Sequence, residues 1–154
     1  MKLLKNYITE AFKINKNTKL ESRYKYFPKT KDELKDIINQ LIEAEGSKCD
    51  LNDIDVSEIK DMSWLFCNSV FNGDISRWDV SNVTNMPGMF KNSNFNGDIS
   101  NWNISNVKNM SYMFTGSKFN RDISNWEITY DTKREFIFSN TPIQKNFKPN
   151  FNLT

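Results

Sequence analysis

Apolar residues recur between positions 54 and 128 at a fixed interval of 24. Ile75, Trp78, Val80, Val83, Met86, Met89 and Phe90 are matched 24 positions later by Ile99, Trp102, Ile104, Val107, Met110, Met113 and Phe114. Twenty-four positions earlier stand Ile54, Val56, Ile59, Met62, Leu65 and Phe66. A fixed period of this length is the signature of a solenoid, in which each repeat buries its apolar face against its neighbours. Four frames fit: 54–77, 78–101, 102–125 and a decayed 126–149, in which Arg134 replaces the methionine. Within a frame, Trp78-x-Val80 alternates like a short strand, and Met86-x-x-Met89-Phe90 has the spacing of a helical turn. The pattern predicts an α/β solenoid of about four repeats, with parallel strands near 54–56, 78–80, 102–104 and 126–128. Asn96-Gly97 reads as a turn. Where Arg121 replaces that glycine, Asn120 is left to supply any left-handed residue.

Ahead of the repeats, Leu34, Ile37, Ile38, Leu41 and Ile42 form a helical stripe. Thr30 and Glu33 are spaced as a capping box, and Gly46 is placed to stop the helix. The spacing predicts a helix over 29–45, and residues 29–47 are expected to cap the first repeat. Leu3, Leu4, Tyr7, Ile8, Ala11 and Phe12 mark a basic amphipathic leader helix over 1–14. Residues 15–28 read as a linker, 48–149 as the repeats and 150–154 as a tail.

Charge separates the leader from the body. Residues 1–28 carry seven Lys/Arg and two Asp/Glu, net +5, and the remainder is net −3. Aromatic residues make up 14% of the chain, and twelve Phe supply much of the expected core volume. There is no histidine, and Cys49 and Cys67 are the only cysteines. Two potential ligands fall short of a four-ligand zinc site, so no metal or cofactor is expected, and the thiols are read as free in a reducing compartment. No apolar run approaches the ~20 residues needed to span a bilayer. The start has no signal-peptide core. A cytoplasmic monomer is expected.

Ile75-x-x-Trp78-x-Val80-x-x-Val83 resembles the core of a leucine-rich repeat, with Val in the usual Asn position. The longer string Phe-Asn-Gly-Asp-Ile-Ser-x-Trp-Asp-Val-Ser-Asn-Val-Thr-Asn-Met-x-x-Met-Phe resembles the repeat of the BspA-like surface proteins. That repeat also occurs in a domain-of-unknown-function family of Mycoplasma lipoproteins. The resemblance covers about 51–128. It implies a right-handed leucine-rich-repeat-like solenoid and a role in adhesion or protein binding. Met1-Lys2, followed by Tyr7-Ile8-Thr9-Glu10-Ala11, resembles the capsid-targeting leaders of internal head proteins in T-even-type phages. It implies packaging into a virion and cleavage between Glu10 and Ala11. The first reading of the same residues is a helix that docks on the body or frays in solution, and a weak membrane-surface helix is a lesser one.

The Met, Phe and Trp ladders are read as stacked core. Asp74, Asp98 and Asp122 also follow the period. They are read as closing Asx turns, with a calcium ladder as the alternative. A copy in every repeat argues against catalysis, and no enzyme is expected. Residues flanking the expected strands are Asp53, Asp55, Arg77, Asp79, Asn101, Asn103, Asn125 and Glu127. They form one acidic, Asn-rich, concave candidate binding face for a protein partner. Its sign argues against nucleic acid. Two function classes stay open: a non-enzymatic protein-binding module, or a packaged virion component.

Overall fold

The computed structural model describes residues 23–151. Among them are one α-helix, α1 (Lys31–Glu45), one 3-10 turn (Lys145–Phe147) and no strand. The expected α/β solenoid of the leucine-rich-repeat kind is therefore not what the chain forms. Parallel pairing is confined to isolated single-residue bridges: Tyr26 with Ile54, Asp50 with Asp74, and the series Asp61, Asn85, Asn109 and Lys133.

The reason strands fail lies in the side chains around the expected positions. Asp74 Oδ1 accepts from the Ser76 N–H at 2.8 Å, and Asp79 Oδ1 from the Ser81 N–H at 3.0 Å. Asp98 with Ser100, Asn103 with Ser105 and Asp122 with Ser124 repeat the bond. Each is an Asx turn, which offers the backbone a local partner in place of a ladder. Between them the chain folds back on itself, with Trp78 N–H donating to Ile75 O and Val83 N–H to Val80 O. No run is left extended for long enough to pair.

Neighbouring segments are nevertheless tied in the 24-residue register. The N–H groups of Met62, Trp64, Phe66 and Asn68 donate to the carbonyls of Asn85, Pro87, Met89 and Lys91 at 2.8–3.0 Å. The same set recurs one period later, from Met86, Gly88, Phe90 and Asn92. These donors lie in tight turns, because Leu65 N–H returns to Met62 O and Cys67 N–H to Trp64 O. The apolar i, i+3, i+4 spacing thus yields i to i+3 turns, and left-handed residues at Trp64 and Asn68 stop them from growing into a helix.

The core follows the register. Phe66, Phe90, Phe114 and Phe138 stack at 5.5, 5.6 and 5.7 Å, and Phe71, Phe95 and Phe119 at 6.0 and 6.3 Å. Trp78 and Trp102 stack at 6.5 Å. Each buried indole also needs a hydrogen-bond acceptor. Trp78 Nε1 donates to Leu51 O, Trp102 to Ile75 O and Trp126 to Ile99 O.

At one end, α1 buries Leu34, Ile37, Ile38 and Leu41. Thr30 Oγ1 accepts from Glu33 N–H at 3.2 Å, whereas the Glu33 carboxylate reaches back to Lys29 N–H. Lys31 ties the helix to Asp61 and Ser63, and Lys35 ties it to the Leu65 carbonyl. At the other end, Phe151 packs on Phe138. Gly97 and Asn120 are not left-handed. Gly97 serves close approach instead: a Cβ there would lie 3.1 Å from the Gly73 carbonyl and 2.7 Å from the Phe95 ring.

Candidate functional site

The first turn of each segment places one residue in the left-handed region at positions 64, 88, 112 and 136. They are Trp64, Gly88, Tyr112 and Phe136, with φ of 60°, 60°, 61° and 56°. Two bonds hold the conformation at Trp64, Gly88 and Tyr112, and the carbonyl bond recurs at Phe136, from Ser139 N–H. The N–H donates to the next segment, as Tyr112 does to Glu135 O, and the carbonyl accepts from three residues on, as Tyr112 O does from Thr115 N–H. Glycine adopts it freely, whereas for a bulky side chain it is an outlier. The side chains here leave the core: Trp64 is 45% exposed, Tyr112 37% and Phe136 63%.

The four positions form one row across the surface. Tyr112 and Phe136 stack with centroids 5.3 Å apart. The Trp64 ring leans over Gly88, where a Cβ would lie 2.4 Å from it. Lys91 Nζ stands 5.5 Å from the Trp64 centroid and 5.7 Å from that of Tyr112. Beside the row, burial pushes the Lys35 ammonium below its usual pKa range. Glu135 takes a hydrogen bond from the Ser111 hydroxyl, which lowers its pKa. A second left-handed column, Asn68, Asn92, Gly116 and Asn140, borders the row. Asn92 Nδ2 donates to Asn68 Oδ1 at 3.2 Å.

The sequence-predicted face lies elsewhere, and much of its polarity is spent inside the protein. Asp53 pairs with Lys25 at 2.5 Å and Asp55 accepts from Ser57 N–H; both are half-buried. Arg77 is exposed, 3.6 Å from Asp50. Asp79 and Asn103 are exposed but close their Asx turns, and each also accepts from a serine hydroxyl, at 2.6 and 2.8 Å. Asn125 donates to Ser100 O, while Asn101 and Glu127 stand exposed. The processing pair Glu10 and Ala11, with the leader, falls outside the described residues. Cys49 is buried, Cys67 is half-buried, and they are not joined.

The aromatic row was missed in the sequence, although a signal was there. One column of the repeat reads Trp, Gly, Tyr, Phe. A glycine sharing a column with three aromatics marks a backbone that does not need a side chain, so the rings are not core.

The row offers apolar contact, a cation and amide groups, with no nucleophile paired to a base. Among the described residues, no helix is long and apolar enough to cross a membrane, and no three His, Cys, Asp or Glu side chains cluster as metal ligands. No curated protein and no solved structure matches the chain. A family profile matches residues 33–151, spanning α1 and the repeats, and by that match the chain belongs to the family described as "Mycoplasma protein of unknown function, DUF285".

Proposed function

We propose that this chain is a non-enzymatic protein-binding module whose partner seats on the row of Trp64, Tyr112 and Phe136. One observation carries the reading: exposure and backbone strain coincide at the same three residues. The left-handed conformation costs an ordinary residue about 1–2 kcal/mol. Gly88, in the same column, relieves that cost. The backbone requires this conformation but not the ring, and strain kept where glycine would relieve it is a mark of binding sites. Exposed Trp and Tyr are the commonest anchors of protein interfaces. The resemblance of the repeat to BspA-like proteins, known for adhesion and protein binding, supports the same reading.

The test is capture from the native source by the full-length protein, followed by titration of the purified partner. Tyr112→Gly with Phe136→Gly is expected to lose the partner while keeping the fold. Asp79→Lys with Asn103→Lys is expected to keep it. The reverse result would move the site to the face of Asp79, Asn101, Asn103, Asn125 and Glu127, whose exposure supports it as the second surface.

The leader supports a different class of function, a packaged phage protein cut between Glu10 and Ala11, on its Met1-Lys2 start and its Ile8-Thr9-Glu10 motif. On either reading the protein acts as a monomer without a cofactor, in a cytoplasm or inside a virion.

A further inference from the structure

Lys91 adds a cation to the row, three residues after Gly88, the one position of the column without a side chain. Its ammonium stands between the rings of Trp64 and Tyr112. Among the described residues, five ion pairs form, and none includes Lys91. Of the ionisable groups beside the row, Lys35 reaches the Leu65 carbonyl and Glu135 accepts from the Ser111 hydroxyl. Among the described residues the row therefore presents an ammonium without a counter-ion, next to the exposed Tyr112 and Phe136 stack.

We infer that the row takes an acidic peptide segment, in which a carboxylate pairs with Lys91 and an adjoining aromatic or aliphatic side chain lies against Tyr112 and Phe136. The inference rests on the protein-binding reading and names the partner's chemistry. A carboxylate makes a charge-assisted bond to an ammonium already positioned by two rings. An apolar side chain beside it removes ring surface from water. A basic segment is repelled by the same ammonium, so Lys91 selects by sign as well as by attraction.

The experiment is selection of random seven-residue displayed peptides on the full-length protein, followed by fluorescence titration of the enriched sequences. Enrichment of Asp or Glu beside an aromatic or aliphatic residue is expected. Lys91→Glu should weaken those peptides at least tenfold and turn selection towards Lys and Arg. Tyr112→Gly with Phe136→Gly should abolish binding with the melting transition retained. Tyr112→Asn replaces it if that double variant does not fold, since Asn68, Asn92 and Asn140 already adopt the left-handed conformation.

Enriched peptides without an acidic preference, lost in the glycine variant, would overturn the acidic partner and leave the protein-binding row standing. No enrichment, or equal binding to the glycine variant, would overturn both. A dimer in sedimentation that the glycine variant loses would assign the row to a second copy, and competition by a synthetic peptide of residues 1–14 would assign it to the chain's own leader. Either result overturns the inference.

Discussion

The indole of Trp64 lies across Gly88, so close that a Cβ on the glycine would sit 2.4 Å from two ring carbons. The two residues belong to the same column of the repeat, and each has φ of 60°. Glycine at 88 therefore does two things: it relaxes the backbone, and it gives the neighbouring ring a floor. Gly88→Ala should lose both. Backbone strain of about 1–2 kcal/mol is expected, and the half-exposed indole should swing outward. Urea denaturation should show that loss, and Trp64 emission should shift to the red. An unchanged midpoint would mean the ring does not rest on Gly88.

Phe90 is fully buried and stacks on Phe66, Phe95 and Phe114. It is one of the two inner rings of the four-ring ladder, so its removal separates Phe66 from Phe114. Phe90→Ala should cost roughly 3–5 kcal/mol, as large-to-small aromatic changes do. A melting temperature equal to that of the unchanged protein would refute the ladder as core.

The sequence carried the core but not the backbone. Phe66, Phe90 and Phe114 could be placed together because apolar identity at a fixed interval survives any backbone conformation. The helix at 31–45 was legible for a local reason: Thr30, Glu33 and a five-residue apolar stripe lie within one segment. The strands expected at 78–80 and 102–104 do not form. Trp78-x-Val80 does alternate, but the Asx turns begun by Asp74 and Asp79 bend the chain on both sides. Asp74, Asp98 and Asp122 are legible as closing Asx turns, and the same bonds compete with strand pairing. The row of Trp64, Tyr112 and Phe136 stayed hidden because its defining property is a positive φ. Only Gly88 betrays that in the sequence, and Gly97, which reads as the turn glycine, serves close packing.

The leader predicts a processing event that intact mass measures directly. If Met1-Lys2 and Ile8-Thr9-Glu10 form a packaging tag, protein from its native source should begin at Ala11. Glu10→Ala should then preserve the full-length mass. If the leader is a docking helix, the full chain persists, and removal of residues 1–14 lowers the melting temperature. A full-length native protein with Glu10 intact would refute the packaging reading.

The Asx turns predict a specific response to acid. The Ser81 hydroxyl and then its N–H hold the Asp79 carboxyl below the usual carboxylate range, and Asp98 is held down by the Ser100 N–H and then its hydroxyl. Burial pushes Asp74 up, but bonds from Ser76 and Asn52 outweigh it. For each group the unfolded chain binds the proton more readily than the folded one. Their stabilisation is present above the unfolded pKa of about 3.9 and is lost as pH falls through the lower folded values. The melting temperature should therefore drop below about pH 4. Asn103, one period after Asp79, closes the same turn without a charge, accepting from Ser105 N–H at 3.1 Å. Asp79→Asn should accordingly keep stability at pH 7 within about 0.5 kcal/mol and flatten the acid-side decline. Asp79→Ala removes the acceptor itself and should cost about 1 kcal/mol at pH 7. For the same reason, Asp79→Lys with Asn103→Lys should lower the melting temperature, because these exposed residues hold the backbone as well as face solvent. Equal melting curves for Asp79→Asn and Asp79→Ala at pH 7 would show that the turn does not depend on the side-chain oxygen.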